Sequence, residues 1–256
     1  MRQRKIPGVD PGLLIKDATK LMPDASRRAF LRGATSLGAL TLLTGCDIID
    51  GDAAEGVLRK ISEFNDAAQA ALFNRTKLAP TYSESAITKP FPFNAYYDED
   101  EAPTVDGKTY KLEVAGLVEN KRPWTLDELH ALPEVSQITR HICVEGWSAI
   151  GSWQGAPLSE FLKRIGADTR AKYVWFKCAE GYSNTIDMPT ALHPQTQMTF
   201  KFANQFLPRA YGFPMKIRIP TKLGFKNPKY VVAMEVTNTD KGGYWEDKGY
   251  NWFSGL

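Results

Sequence analysis

The sequence predicts an α+β fold: a mixed sheet with short helices and long loops. Three observations carry that expectation. Short runs rich in β-branched and aromatic residues alternate with short helical patterns, Pro and Gly punctuate them at 16 and 20 of 256 positions, and no internal repeat or low-complexity tract interrupts them. With 24% charged and 43% hydrophobic residues this is an ordinary globular chain, long enough to bury a core without disulfide staples. Three cysteines (Cys46, Cys143, Cys178) and three histidines (His130, His141, His193) are too scattered for a zinc ribbon, an iron–sulfur cluster or a disulfide-dense scaffold.

The first element is a leader. Ser26-Arg27-Arg28-Ala29-Phe30-Leu31-Arg32 precedes an apolar run from Gly33 to Gly45, the charged-then-apolar order of an export signal, and its paired arginines resemble a twin-arginine signal. A helix of that run rises roughly 20 Å, short of the ~30 Å hydrocarbon core, so export is expected over a spanning anchor. Leu43-Thr44-Gly45-Cys46 resembles a lipobox, which predicts lipidation at Cys46 and a periplasmic chain lipid-anchored to the cytoplasmic membrane. Residues 1–45 hold eight Lys/Arg and three Asp/Glu, which leaves 24 basic and 26 acidic residues for the remainder. That near-balance gives no basic stripe for nucleic acid.

Residues 46–92 read as an N-terminal helix and an extended arm. Val57, Ile61, Phe64, Ala68, Ala71 and Leu72 recur at helical spacing, predicting one amphipathic helix over 57–78. Pro80, Pro90 and Pro92 then favour extended chain, and Phe91, Phe93, Tyr96 and Tyr97 are costly to leave in water, so the arm should wrap on the domain. The domain proper is expected over 93–256. Tyr110, Leu112 and Val114 alternate with Lys111 and Glu113 as in a half-buried strand, and Thr125 to Glu128 has capping-box spacing for a short helix to Leu132. Residues 135–144 read as a strand and 157–165 as a short helix with Pro at its start and Gly166 at its end. Residues 172–178, 215–219 and 230–236 are apolar strands joined by Pro/Gly-rich loops.

Chemistry concentrates at Arg140-His141-Ile142-Cys143-Val144-Glu145-Gly146-Trp147. A cysteine where a strand enters a loop is held rigidly toward a cleft, and soft thiolate suits transition metals. From composition alone, a buried core thiol or a Cys143–Cys178 disulfide is the more ordinary reading.

The stretch 143–148, with Trp153, Gly155, Pro157 and Leu158, resembles the molybdenum-binding core of the sulfite oxidase superfamily, and most of all its periplasmic methionine-sulfoxide reductase catalytic subunits. The likeness runs on through Lys172-Tyr173-Val174, His193-Pro194, Met198-Thr199, Leu207-Pro208, Gly212-Phe213-Pro214 and Ile219-Pro220. It reaches Lys222-Leu223-Gly224-Phe225-Lys226, Lys229 and the tail from Gly243 to Tyr250. The resemblance implies a sulfite-oxidase-type molybdopterin-binding fold, with Cys143 as ligand to the molybdenum of a molybdopterin cofactor. It places Asn94, Tyr97, Asp98, Cys178, Tyr211, Lys216, Asn227, Pro228 and Lys229 at the pterin. Of these, Asp98, Cys178, Tyr211 and Lys216 stand where relatives carry Glu, Thr, Asn and Arg, and Lys for Arg loses a bidentate fork.

The implied activity is two-electron oxygen-atom transfer that reduces an S- or N-oxide, with His141 as proton donor and Arg140 beside the ligand. Sulfite oxidation is the alternative, disfavoured by the scarcity of arginines near Cys143. A second alternative is a non-catalytic lipoprotein stapled by a Cys143–Cys178 disulfide. No haem, flavin or dinucleotide motif is present, so electrons are expected from a membrane cytochrome b or a c-type cytochrome, and the chain is expected to be monomeric.

Overall fold

A computed structural model describes residues 51–256, with side chains from Glu55 onward. The leader and Cys46 lie outside the described residues. Residues Arg59–Leu256 form one compact unit.

Helix α1 (Gly51–Leu72) stops six residues before its expected end, where the Asn74 side chain accepts from the Thr76 amide at 3.0 Å and turns the chain. Its packing differs from the expectation. Ile61, Phe64 and Leu72 are largely exposed, while the face toward the domain is polar. The Asp66 carboxylate accepts from the Trp252 and Phe253 amides, and Gln69 from the Gly255 amide at 2.8 Å, so backbone hydrogen bonds bind the C-terminal tail to this helix.

The arm behaves as its aromatics predict. The Tyr82 amide donates to the Ile138 carbonyl and Thr88 to Ile150, and Phe91 is buried with Ala149, Trp153 and Leu207.

Two five-stranded sheets form the body. The first comprises β1 (Lys111–Gly116), β2 (Trp124–Thr125), β5 (Tyr173–Cys178), β6 (Ser183–Asp187) and β10 (Val231–Thr237), in spatial order β2-β1-β10-β5-β6. Only β1 and β10 pair in parallel in this sheet. Leu112 and Val114 point inward from β1 while Lys111 and Glu113 face water, the alternation read from the sequence. The second sheet comprises β3 (Val135–Ile142), β4 (Ser148–Pro157), β7 (Gln197–Phe202) and β8 (Gln205–Phe206), with β9 (Lys216–Arg218) on β7. Short helices α2 (Leu126–His130), α3 (Leu158–Arg164) and α4 (Met188–Ala191) complete it. The Thr125/Glu128 capping box forms, and Pro157 and Gly166 flank α3 as expected.

Strands β6, β7 and β8 lie where the sequence reads as Pro/Gly-rich loop, and β4 where it assigns no element. A Cβ on Gly155 would sit 1.9 Å from the Met198 carbonyl oxygen; the glycine lets β7 approach.

Candidate active site

Strand β3 runs into the β3–β4 hairpin that carries Cys143. The Cys143 amide donates to the Trp147 carbonyl at 2.9 Å and the Gly146 amide to the Cys143 carbonyl at 3.2 Å, and Gly146 takes the φ of +87° that the turn needs. The half-buried thiol lies 3.8 Å from Glu145 Oε2, which also accepts from Trp147 Nε1 at 2.8 Å. Burial, with the Glu145 carboxylate adding to it, pushes the thiol above its usual range. A cation at the sulfur reverses that preference.

Cys143 opens on a cleft walled by the arm (Asn94–Tyr97), the hairpin after β5 (Glu180, Tyr182), the turn 224–229 and Trp245. His141 packs behind it, 2% exposed. Gly224 is required there: its Cβ would lie 2.5 Å from His141 Nε2. Asn94 Nδ2, which can only donate, stands 3.2 Å from Nε2, so the ring proton sits on Nδ1, buried with no partner. Burial, reinforced by Arg218, Lys216 and Lys229, holds His141 well below the usual histidine range, so the ring is neutral.

Of those three cations only Lys229 lines the cleft; Lys216 and Arg218 are buried outside its lining. Lys229 Nζ donates to the carbonyls of Asn94 at 2.9 Å and Ala210 at 3.1 Å, and burial brings it down to about 8 against the opposing pull of Glu180. The Lys216 ammonium lies 4.7 Å over the Trp153 ring and is held well below its usual range by burial. Gly212, at φ +111°, lets both lysine stems pass; a Cβ would stand 3.0 Å from Lys229 Cβ and 3.2 Å from Lys216 Cβ. The fully buried Arg218 donates to Asn227 Oδ1 at 2.8 Å, Thr139 Oγ1 at 3.3 Å and the Arg140 carbonyl at 2.5 Å. Asn227 Oδ1 also accepts from the Ile219 amide at 2.6 Å, and its Nδ2 donates to the Leu223 carbonyl.

Six of the residues expected at the cofactor line this cleft: Asn94, Tyr97, Cys143, Asn227, Pro228 and Lys229. The rest stand apart. The Asp98 amide donates to Glu101 at the start of a short 3₁₀ turn. Tyr211 packs on Phe91 and Phe202 and donates its hydroxyl to the Phe91 carbonyl at 2.7 Å, pinning the arm. Lys216 lies under the cleft at Trp153. Arg140 is exposed, its guanidinium 5.2 Å over Tyr82. Cys178 is buried at the end of β5, and both it and Cys143 are free thiols; the disulfide of the binding-protein alternative is absent.

Sequence reasoning missed Glu180, Tyr182 and Arg218. Burial raises Glu180 to about 7, and its Oε2 is buried without a partner. Arg218 left a trace: Lys216 and Arg218 alternate inside an otherwise apolar run. An anionic pterin bearing a metal fits this cleft. A free thiol and a buried cation both line it, and Glu180 Oε2 and His141 Nδ1 are buried without a partner in or behind its wall.

The family described as oxidoreductase molybdopterin binding domain matches residues 99–245. A putative protein-methionine-sulfoxide reductase subunit of Azospira oryzae is 60% identical over 240 residues, 94% of this chain and 92% of that protein. A protein-methionine-sulfoxide reductase catalytic subunit of Ralstonia nicotianae is 29% identical over 70% of this chain, which spans 62% of that relative. The sulfane dehydrogenase of Paracoccus pantotrophus shares the fold, with a TM-score of 0.51 at 18% identity over 54% of this chain and 40% of that one. The expected lipid-anchored placement is corrected. The Ralstonia relative is named as a catalytic subunit, and no described helix is long and apolar enough to cross a membrane. Because the family match covers more than half the chain and the Azospira relative nearly all of it, this chain belongs to the molybdopterin-binding oxidoreductases, and molybdopterin is its cofactor.

Proposed function

We propose that the chain is the catalytic subunit of a methionine-sulfoxide reductase, reducing a neutral S-oxide with electrons from a partner cytochrome of b or c type. The observation that carries this is the cleft itself, whose lining holds both the free Cys143 thiol and Lys229. When bound, the cofactor supplies two-electron oxygen-atom transfer at its molybdenum. Cys143 holds the metal as thiolate. Asn94, Tyr97, Asn227 and Pro228 line the pterin's seat, and Lys229 presents charge to its phosphate. Tyr96, Tyr182, Phe225 and Trp245 form an aromatic wall that suits the apolar groups flanking a neutral S-oxide.

A neutral oxide is favoured over sulfite because no arginine lines the cleft among the described residues, and Lys229 is its one basic side chain. The neutral His141 is placed to orient Asn94 rather than to deliver a proton as imidazolium. The names of the relatives, as subunits, support a separate electron-delivering partner.

The test is molybdenum and oxidised-pterin content per chain, beside dye-driven methionine-sulfoxide reduction, in the parent and in Cys143→Ser. We expect about one molybdenum per parent chain and loss of metal and activity in the variant. A parent matured with molybdate that holds neither metal nor pterin rejects the reading.

A further inference from the structure

Two parts of the cleft wall are joined beneath it by a buried ion pair. Phe225 and Trp245 both line the cleft. The residues that follow them, Lys226 and Glu246, turn inward, with side chains 1% and 5% exposed. Lys226 Nζ bonds Glu246 Oε1 and donates to the Thr185 carbonyl at 3.0 Å, and Asn184 Nδ2 donates to the same carboxylate oxygen at 2.9 Å. Tyr182, at the head of the same strand, donates its hydroxyl to the Phe225 carbonyl at 2.5 Å. The tail is closed tightly around the carboxylate: a Cβ on Gly243 would lie 2.3 Å from Glu246 Oε2.

Glu246 Oε2 itself has no partner. Two desolvated charges with one oxygen unsatisfied are a poor source of fold stability. They are an effective way to fix a distance, because any drift of either wall leaves a buried charge alone.

We infer that the Lys226–Glu246 pair is a positioning device for the cofactor site: it ties the turn that carries Asn227, Pro228 and Lys229 to the C-terminal tail, making that tail a working part of the cleft. Glu246 lies just past the matched family domain, which ends at residue 245. The inference rests on the proposed reading of the cleft as the cofactor's seat.

Glu246→Gln tests it, since Gln keeps the shape and an acceptor for Asn184 and removes only the charge. Leu129→Ala, a core truncation in α2, serves as the control for general destabilisation. Molybdenum and pterin per chain are measured on protein matured in a molybdate-replete host, beside the melting temperature of each chain made without cofactor. The expected result is about a tenfold fall in loading for Glu246→Gln, with Leu129→Ala loading within about twofold of the parent at an equal or larger melting loss. Loading equal to the parent in Glu246→Gln overturns the inference, as does loading that falls equally in both variants. A parent without molybdenum rejects the cofactor reading instead, so the two failures are distinguishable.

Discussion

The parts of the cleft built around Cys143 and around Lys229 follow opposite principles. Around Cys143 everything is local: a five-residue loop, two backbone hydrogen bonds, a glycine at positive φ and a carboxylate two residues away. Around Lys229 almost nothing is local. Asn94 and Ala210 accept from Lys229, Arg218 reaches back to β3, and Glu246 comes from the tail. A thiol that must face a metal needs only a rigid turn. An array of buried cations, by contrast, needs each charge solvated by carbonyls and amides brought from distant segments, because burial without such partners costs more than the fold can supply.

Breaking the part around Lys229 should therefore cost most. Asn227→Leu keeps the branched shape but removes the Oδ1 that accepts from Arg218 Nη1 and from the buried Ile219 amide, leaving Arg218 only Thr139 and the Arg140 carbonyl. The expected loss is about 3–5 kcal/mol of unfolding free energy, measured by denaturant titration of the cofactor-free chain. Less than about 1 kcal/mol would show that the cation array is solvated without the turn.

This contrast also sets what could be read in the sequence. The Cys143 loop, the Thr125/Glu128 cap, the Leu112/Val114 strand and the Phe91 arm all announce themselves within a few residues, and all are present. Six of the ten cofactor positions carried by family likeness line the cleft, and the family assignment stands. What stayed hidden depends on partners far along the chain. Gly155 shows no structural role until β7 is beside it, and polar β6 reads as loop until its Asn184 and Thr185 are seen holding Glu246 and Lys226. His141, two residues before Cys143 on its strand, and Arg140, the arginine nearest Cys143, are both expected at the site. Strand alternation sends them to opposite faces, one to solvent over Tyr82 and one to the buried side.

Glu180 sharpens the comparison by pH. Its carboxyl is raised to about 7 by burial, from a model-peptide value near 4.5, with Lys229 opposing. Between those values the folded chain holds a proton that the unfolded chain releases, so this group's contribution falls as pH rises from about 4.5 to 7. Glu180→Gln should remove that decline, about 3 kcal/mol, and leave the variant more stable than the parent at pH 8. Stability curves of the two chains that run parallel across pH 4.5–7 would show the carboxyl to be solvated.

The smallest effect belongs to Arg140. Its side chain contributes one exposed cation–π contact with Tyr82, while the group that serves the cleft is its backbone carbonyl, which accepts from Arg218 and survives any substitution. Arg140→Ala should therefore cost about 0.5 kcal/mol or less, and leave molybdenum content and the KM for an S-oxide unchanged. A rise in KM with metal content intact would mean that the guanidinium swings from Tyr82 to the substrate, and the neutral-oxide reading would give way to an anion site beside Cys143. The comparison then hinges on a residue whose neighbours in sequence and neighbours in space lie on different faces of one strand.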